Sequence, residues 1–406
     1  MAFHILVNSM FGGGAEIQAA LLAGVLKPQS FLLLEYGTLP ARSGDQPYSA
    51  LSGKSPLPGG AKTLLLPSYA NRLAARVTRG DTVLSFMQRS NFVNVMAARK
   101  TGHRAVICEV TQPSREYSGA RGLLMKPLIR KLYPQAALVI SNSKGNALDL
   151  EENFGLAQGK VKVIYNSCDT RSARDLAAKP LAAPYEAVFK RPVIITSGRL
   201  NAAKGHWHLL KSFAGVKAAV PGAALVLLGE GELQETLLGI CAALGLKVYC
   251  AGRSPAPAGD EDVFFPGFVD NPYNFLARAK LFAFPSLWEG LPNAVLEALA
   301  CGLPVVAADC RSGPRELLAP GTDFRGQAAA PEKTDPGFLM PPFKVLPPGL
   351  GAGQEEIERL WTEKLAALLR DADGLKTMGA AARKRAEDFA PAVLAAQWRE
   401  ALDLTS

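Results

Sequence analysis

Short β-rich runs alternate with helical runs along the whole 406-residue chain, and this alternation restricts the fold more than any other feature. FHILVN (3–8), TLLLP (63–67), TVLSFM (82–87), RAVICEV (104–110), LVISNS (138–143) and VKVIYN (161–166) form one series. VIITSG (193–198), ALVLLGEG (224–231), VFFPGF (263–268), LFAFPS (281–286) and PVVAAD (304–309) form a second. Helical periodicity, as in AEIQAALLAGVL (15–26), lies between them. Repeated βα units build parallel, doubly wound sheets with helices on both faces. Two series predict an α/β protein of two Rossmann-like domains facing across a cleft. Strand signal lapses over 167–190, where AAKPLAAPYEA supplies prolines, so domains are expected at 1–186 and 190–385. Residues 353–404 read as helical with a break at Pro391, and 320–337 and 341–352 read as surface loops.

An apolar fraction of 48% with 20% charged residues is that of a soluble globular protein with sizeable cores. The six cysteines show no C-x-x-C spacing and lie in or beside apolar runs. They read as buried thiols in a reducing compartment rather than a zinc site or disulfide framework. MAFHILVN runs straight into a strand pattern, so no signal peptide is expected. The longest stretch free of Asp, Glu, Lys and Arg, residues 1–15, ends in GGGA and falls short of the ~18 apolar residues of a membrane span. These features predict a cytoplasmic protein. Charge is uneven: residues 1–185 hold 22 Lys and Arg against 11 Asp and Glu, and the rest 23 against 25. A basic half attracts phosphates, an anionic bilayer or nucleic acid, or serves solubility alone.

In open α/β sheets ligands bind beyond the carboxyl ends of the strands, so residues that follow strands carry the most information. FGGGAEIQ (11–18) follows the first strand. Its glycines and the helix start offer either a tight turn or a phosphate cradle. The spacing is not G-x-G-x-x-G, which disfavours a dinucleotide. After VIITSG, Arg199 and Lys204 stand five residues apart at a helix start. Cations are disfavoured there unless an anion is bound, and an Arg fork with a Lys point charge suits a diphosphate. In WEGLPNAVLEALACGLPVV (288–306), seven residues separate Glu289 from Glu297 inside an apolar run. A helix is expected from about Pro292 to Cys301, ended by Gly302. Glu289 then lies in the preceding loop and Glu297 on the helix. Gly290, Leu291 and Asn293 offer N–H groups of the helix start between them. Two carboxylates that bracket an anion hole fit the ribose, hexose and diphosphate of a sugar nucleotide.

S-G-R-L-N-A-A-K-G (197–205), the glutamate stretch and GGGAE (12–16) together resemble the retaining glycosyltransferases of family four, which have the GT-B fold. VIYNSCD (163–169), LLGEGEL (227–233) and FPGFVDN (265–271) extend the resemblance over nearly the whole chain. It implies C-terminal helices (about 390–406) that return to the first domain. It also implies that Glu297 binds ribose, that Glu289 binds the hexose or its phosphate side, and that Arg199 and Lys204 neutralise the leaving diphosphate. Gly13, Gly14 and Glu16 would lie near phosphates and acceptor; Gly290, Leu291, Pro292 and Asn293 would line the donor; Gly267 and Phe268 would edge the base. The implied chemistry is metal-independent hexose transfer with retention, without a cofactor beyond the nucleotide sugar. The likeness of DCRSGPREL (309–317) to UDP-sugar users points to UDP.

The D-x-D strings at Asp260–Asp262 and Asp371–Asp373 follow no strand end and read as solvated charges. Relatives carry an acceptor-side histidine where this chain reads CEVTQPSREY (108–117), and Glu109 is the alternative there. His4 reads as core, His206 and His208 as the exposed side of a helix. REYSGARGLLMKPLIRKLYP (115–134) is a basic amphipathic stretch suited to an anionic membrane surface or to core packing. Peripheral contact at the cytoplasmic face is expected, with a polyprenyl-diphosphate-linked glycan or a lipopolysaccharide core as acceptor. A UDP-sugar 2-epimerase is the alternative enzyme. A nucleic-acid partner is not expected, since no binding module or basic-aromatic interleaving is present.

Overall fold

The computed structural model describes residues 2–10, 13–35, 48–52, 59–117, 119–349 and 354–404, without the side chains of 59–61 and 120. It contains two compact units, Met1–Ser167 with Ala390–Ser406, and Cys168–Phe389.

The first unit holds seven strands: β1 (Phe3–Val7), β2 (Ser30–Glu35), β3 (Tyr48–Ser52), β4 (Thr82–Phe86), β5 (Arg104–Glu109), β6 (Leu138–Ser141) and β7 (Val161–Val163). They are ordered β3-β2-β1-β4-β5-β6-β7, and every pairing is parallel. Strand side chains alternate between faces, and here both faces are buried. Leu6, Leu32, Val83 and Ile107 join one core; Ile5, Leu33, Leu84 and Val106 join the other. The second core is closed by the helix Pro391–Leu402, whose Leu394 and Trp398 pack against it, with Trp398 6.2 Å from Phe86. The C-terminal helix therefore returns to the first unit, as expected.

The second unit holds β8 (Val193–Ser197), β9 (Ala224–Leu228), β10 (Val248–Cys250), β11 (Val263–Gly267), β12 (Leu281–Phe284), β13 (Val305–Ala308), β14 (Glu332–Thr334) and β15 (Gly337–Met340). The order is β10-β11-β9-β8-β12-β13-β15-β14. Only the β14–β15 pair is antiparallel among the described strands. Both units are doubly wound α/β sheets, as the alternation predicts.

Three expectations are corrected. TLLLP (63–67) is helical, split between Gly59–Leu64 and Leu66–Ala74. Leu66, Tyr69, Ala70 and Leu73 are buried at helical spacing, and Pro67 suits a first turn. Two strands, β2 and β3, take that place in the sheet. The loop 320–337 contains β14, an edge strand; 341–349 has no regular structure, and 350–352 lie outside the described residues. Finally, the boundary falls at Ser167/Cys168 rather than 186/190. The helix Thr170–Ala178 is built into the second unit, for Asn271, Asn274 and Arg278 donate to the carbonyls of Leu176, Pro180 and Ala177. Its alanine- and proline-rich composition reads as a linker because those contacts use backbone carbonyls.

His103 joins the helix Gln88–Thr101 to the sheet. Its ring meets Thr101 Oγ1 at 2.6 Å and Asn94 Oδ1 at 2.9 Å, and Asn94 donates to Val83 and Val106 carbonyls. Burial pushes its pKa from 6.5 down to about 4. As pH falls below 6.5 the unfolded chain takes up a proton that the folded chain refuses until about 4, so stability declines through that window. The urea midpoint should fall between pH 6.5 and 4, and the fall should be shallower in His103→Gln.

Candidate functional site

The second unit places its informative residues on loops at the carboxyl ends of β8, β9, β11 and β12. After β8 the chain runs through Gly198 and Arg199 into a 3₁₀ turn, Ala202–Lys204, then Gly205 and the helix His206–Ala219. After β12 it runs through Pro285–Glu289 to Pro292, which caps the helix Asn293–Ala300. The two loops are zipped together: Leu287 N donates to Ala203 O at 2.7 Å. Gly205 makes the approach possible. It has φ 60°, and a Cβ there would lie 2.4 Å from Pro285 O.

This zipper brings Lys204 and Glu289 together. Lys204 Nζ lies 2.5 Å from Glu289 Oε1, and the side chains are only 21% and 12% exposed. The ammonium also stands 5.5 Å from the Phe284 ring centroid. Arg199 is exposed, with no side-chain partner among the described residues. One cation is thus held by a carboxylate and the other is free to meet an anion. Cations at a helix start oppose its dipole and gain from such an anion.

Glu297 sits on the second turn of Asn293–Ala300, half-buried. Its charge helps raise the Cys168 and Cys301 thiol pKa values, after burial. Glu289 does the same to Cys310. The two glutamates therefore face different surroundings. The helix ends as expected, one residue early: Gly302 N donates to Leu299 O and Leu303 N to Ala298 O, a Schellman arrangement.

Backbone hydrogen bonds join three further loops. Gly198 N donates to Leu228 O, Leu200 N to Glu230 O and Gly229 N to Gly267 O, each at 2.9 Å. Phe268, 55% exposed, follows Gly267, and its N–H donates to Glu230 Oε1 at 3.3 Å. Glu230 escaped the sequence reading, although LLGEGEL marked the stretch. So did the support beneath Gly290–Pro292. Gly313 presses on that segment, since a Cβ there would lie 2.7 Å from Gly290 O. Its turn is held by buried Arg315, which bonds Asp309 Oδ2 at 2.5 Å and Glu332 Oε2 at 2.7 Å. Burial raises the Asp309 pKa even so, while its bonds to carboxylates raise that of Arg315 against the opposite pull of burial.

In the first unit, Gly13 caps the helix Gly14–Leu26. Glu16 is buried, with Oε2 accepting from Gly13 N at 2.9 Å and Oε1 from Ser9 Oγ at 3.0 Å. It holds the loop through a capping box. Phe11 and Gly12 lie outside the described residues. Glu109 is fully buried, accepting from Gln88, Thr111 and Tyr133, and burial raises its pKa. His4 is core, as expected. His206 and His208 are not on an exposed side, however. They are 2% and 1% exposed, and His208 bonds Glu358 at 2.7 Å and stacks on Phe343.

Three of the four D-x-D aspartates have structural partners. Asp260 and Asp262 pair with Lys247 and Lys217, and Asp371 caps the helix Ala372–Glu387.

Comparison with known proteins agrees with this layout. A model described as "Glycosyl transferases group 1" matches residues 183–335, and one described as "Glycosyltransferase Family 4" matches 12–172. The chain is 37% identical over 242 residues to the N-acetylgalactosamine-N,N'-diacetylbacillosaminyl-diphospho-undecaprenol 4-alpha-N-acetylgalactosaminyltransferase of Campylobacter jejuni, covering 59% of this chain and 60% of that one. It is 31% identical over 285 residues to an uncharacterized glycosyltransferase of Methanocaldococcus jannaschii, covering 68% and 67%. The crystal structure of Anabaena HepE in complex with UDP and glucose is alike in fold, with a TM-score of 0.74 and 20% identity over all of both chains. With family models on both units and this likeness to an archaeal relative, the chain belongs to the group 1, family 4 glycosyltransferases of GT-B fold.

Proposed function

We propose that this protein transfers a hexose or N-acetylhexosamine from a UDP-sugar to a lipid-linked glycan in cell-surface glycan assembly, with retention and without a metal. The observation that carries this reading is the Lys204–Glu289 pair beside an unpaired, exposed Arg199 at the strand ends of the second unit.

In the proposed mechanism Arg199 and Lys204 neutralise the diphosphate as the glycosidic bond breaks, a case of electrostatic stabilisation by groups already in place. Lys204 leaves Glu289 for the phosphate, and the released carboxylate accepts hydroxyl hydrogens of the hexose. The Gly290 N–H and the dipole of the following helix favour the same anion. Glu297 accepts from ribose, and Gly267 and Phe268 border the base. The acceptor attacks on the face the nucleotide leaves, and the departing phosphate takes its proton, which gives retention. Two cations already shield the diphosphate, so the reading needs no metal. The UDP of the Anabaena crystal structure and the DCRSGPREL stretch support that nucleotide.

The acceptor reading draws on the Campylobacter relative, whose name specifies a diphospho-undecaprenol substrate. It also draws on the helix Gly119–Leu132 of the basic first unit. Leu123 and Leu124 are 81% and 52% exposed there, on a helix that also carries Arg121, Lys126, Arg130 and Lys131. Exposed leucines among cations fit the interface of an anionic bilayer. Among the described residues no helix is long and apolar enough to cross a membrane. The six buried, unpaired thiols fit the cytoplasmic face.

UDP at a hundred times its Kd should add about 2.7 kcal/mol of stability, seen as a raised thermal midpoint. Glu297→Ala should lose the shift, and GDP and ADP should give a smaller one. A midpoint indifferent to UDP would count against the donor reading. In flotation assays the protein should rise with anionic vesicles at low salt, and Leu123→Glu/Leu124→Glu should stay behind. Equal recovery of parent and variant would remove the membrane part.

A further inference from the structure

Eleven buried side-chain polar atoms have no hydrogen-bond partner among the described residues. Three of them, Asn201 Oδ1, Ser286 Oγ and Trp288 Nε1, lie on the two short loops that carry Lys204 and Glu289, and a fourth, His206 Nδ1, opens the helix that follows the first loop. The other seven are scattered over both units. Leaving a buried polar group unmade costs about 1–3 kcal/mol, so such concentration calls for a compensating ligand or bridging water. Ser286 is 0% exposed and His206 2%. The two loops are zipped at Leu287–Ala203 and at Gly205–Pro285, which places the four atoms on both sides of the ion pair in sequence.

The chemistry of the set selects the ligand. An indole N–H only donates, an amide oxygen only accepts, and a hydroxyl does both. Burial, with the Lys204 charge beside it, pushes the His206 pKa down to about 3, so its imidazole is neutral and also offers both roles. A phosphate accepts and has no hydrogen for the Asn201 oxygen. A sugar hydroxyl donates and accepts, and so meets every member.

We infer that Asn201 and Trp288 are specificity residues that read the hydroxyl pattern of the donor hexose beside Glu289, with Ser286 and His206 completing the polar wall directly or through a held water. This rests on the donor site proposed above. It adds that discrimination between hexoses lies in these two loops, while Arg199, Lys204 and Glu297 set affinity for the nucleotide.

The test is calorimetric titration with UDP, UDP-glucose, UDP-galactose, UDP-N-acetylglucosamine and UDP-N-acetylgalactosamine. The parent is compared with Trp288→Phe, which keeps the ring and removes the N–H, and with Asn201→Ala. The expected result is a UDP affinity within about twofold of the parent in both variants. The spread of affinities among the four sugars should shrink by about tenfold, because a site built to bond a hydroxyl rejects its misplacement strongly. An unchanged ranking with all five affinities lowered together would assign these residues to structure and overturn the inference alone. A parent that binds UDP without discriminating the sugars would also overturn it alone. A parent that binds none of the five would overturn the donor reading and this inference with it.

Discussion

The ion pair of Lys204 and Glu289 is the interaction on which the proposed chemistry of the second unit rests. Neither residue would lie where it does without the other's loop. The turn after β8 and the turn after β12 meet because Gly205 has no side chain and adopts positive φ. A residue with Cβ would push Pro285 away and carry Glu289 with it. The pair is mostly shielded from water, and breaking such a pair by losing one partner is costly, since the other charge remains unmatched. The resting arrangement is therefore stable, and in the proposed mechanism a diphosphate takes over from the carboxylate as the partner of Lys204. The proposed exchange would keep the cation satisfied before and after donor binding.

The remaining loops hold this centre in place partly through backbone contacts. Gly198, Gly229 and Gly267 tie the ends of β8, β9 and β11 together, and a Cβ on Gly229 would lie 2.1 Å from Gly198 O. Arg315 performs the corresponding task with charge, gathering Asp309 and Glu332 under the turn that presses on Gly290. The first unit shows a different economy. Its candidate carboxylates, Glu16 and Glu109, are buried and already accept several hydrogen bonds. They shape the strand ends of that unit, and in the proposed reading the exposed leucines and cations of Gly119–Leu132 are what it offers a membrane.

Much of this was legible in residue order. Alternation revealed both sheets, because strands buried on both faces read as continuous apolar runs. Gly302 and Pro292 marked the ends of the glutamate helix to within a residue. TLLLP misled because a short apolar run has no period of its own, and only the spacing of Leu66, Tyr69, Ala70 and Leu73 beyond it reveals a helix. The histidines at 206 and 208 misled because a helix start is usually solvated, whereas here Glu358 and Phe343 come from distant segments to cover the second. The Arg315 cluster was hidden for the same reason: its partners converge only after β13, β14 and the intervening loop have folded. The unpartnered atoms of Asn201 and Trp288 have no sequence signature at all.

The most direct measurement is transfer of labelled hexose from the four UDP-sugars into extractable lipid, using membranes of the producing organism and parent protein or Glu289→Gln. The account predicts label in lipid from one preferred donor, with the product linkage retaining the donor's configuration, and a loss of about a hundredfold in Glu289→Gln. Undiminished label with the variant, or an inverted linkage, would contradict it.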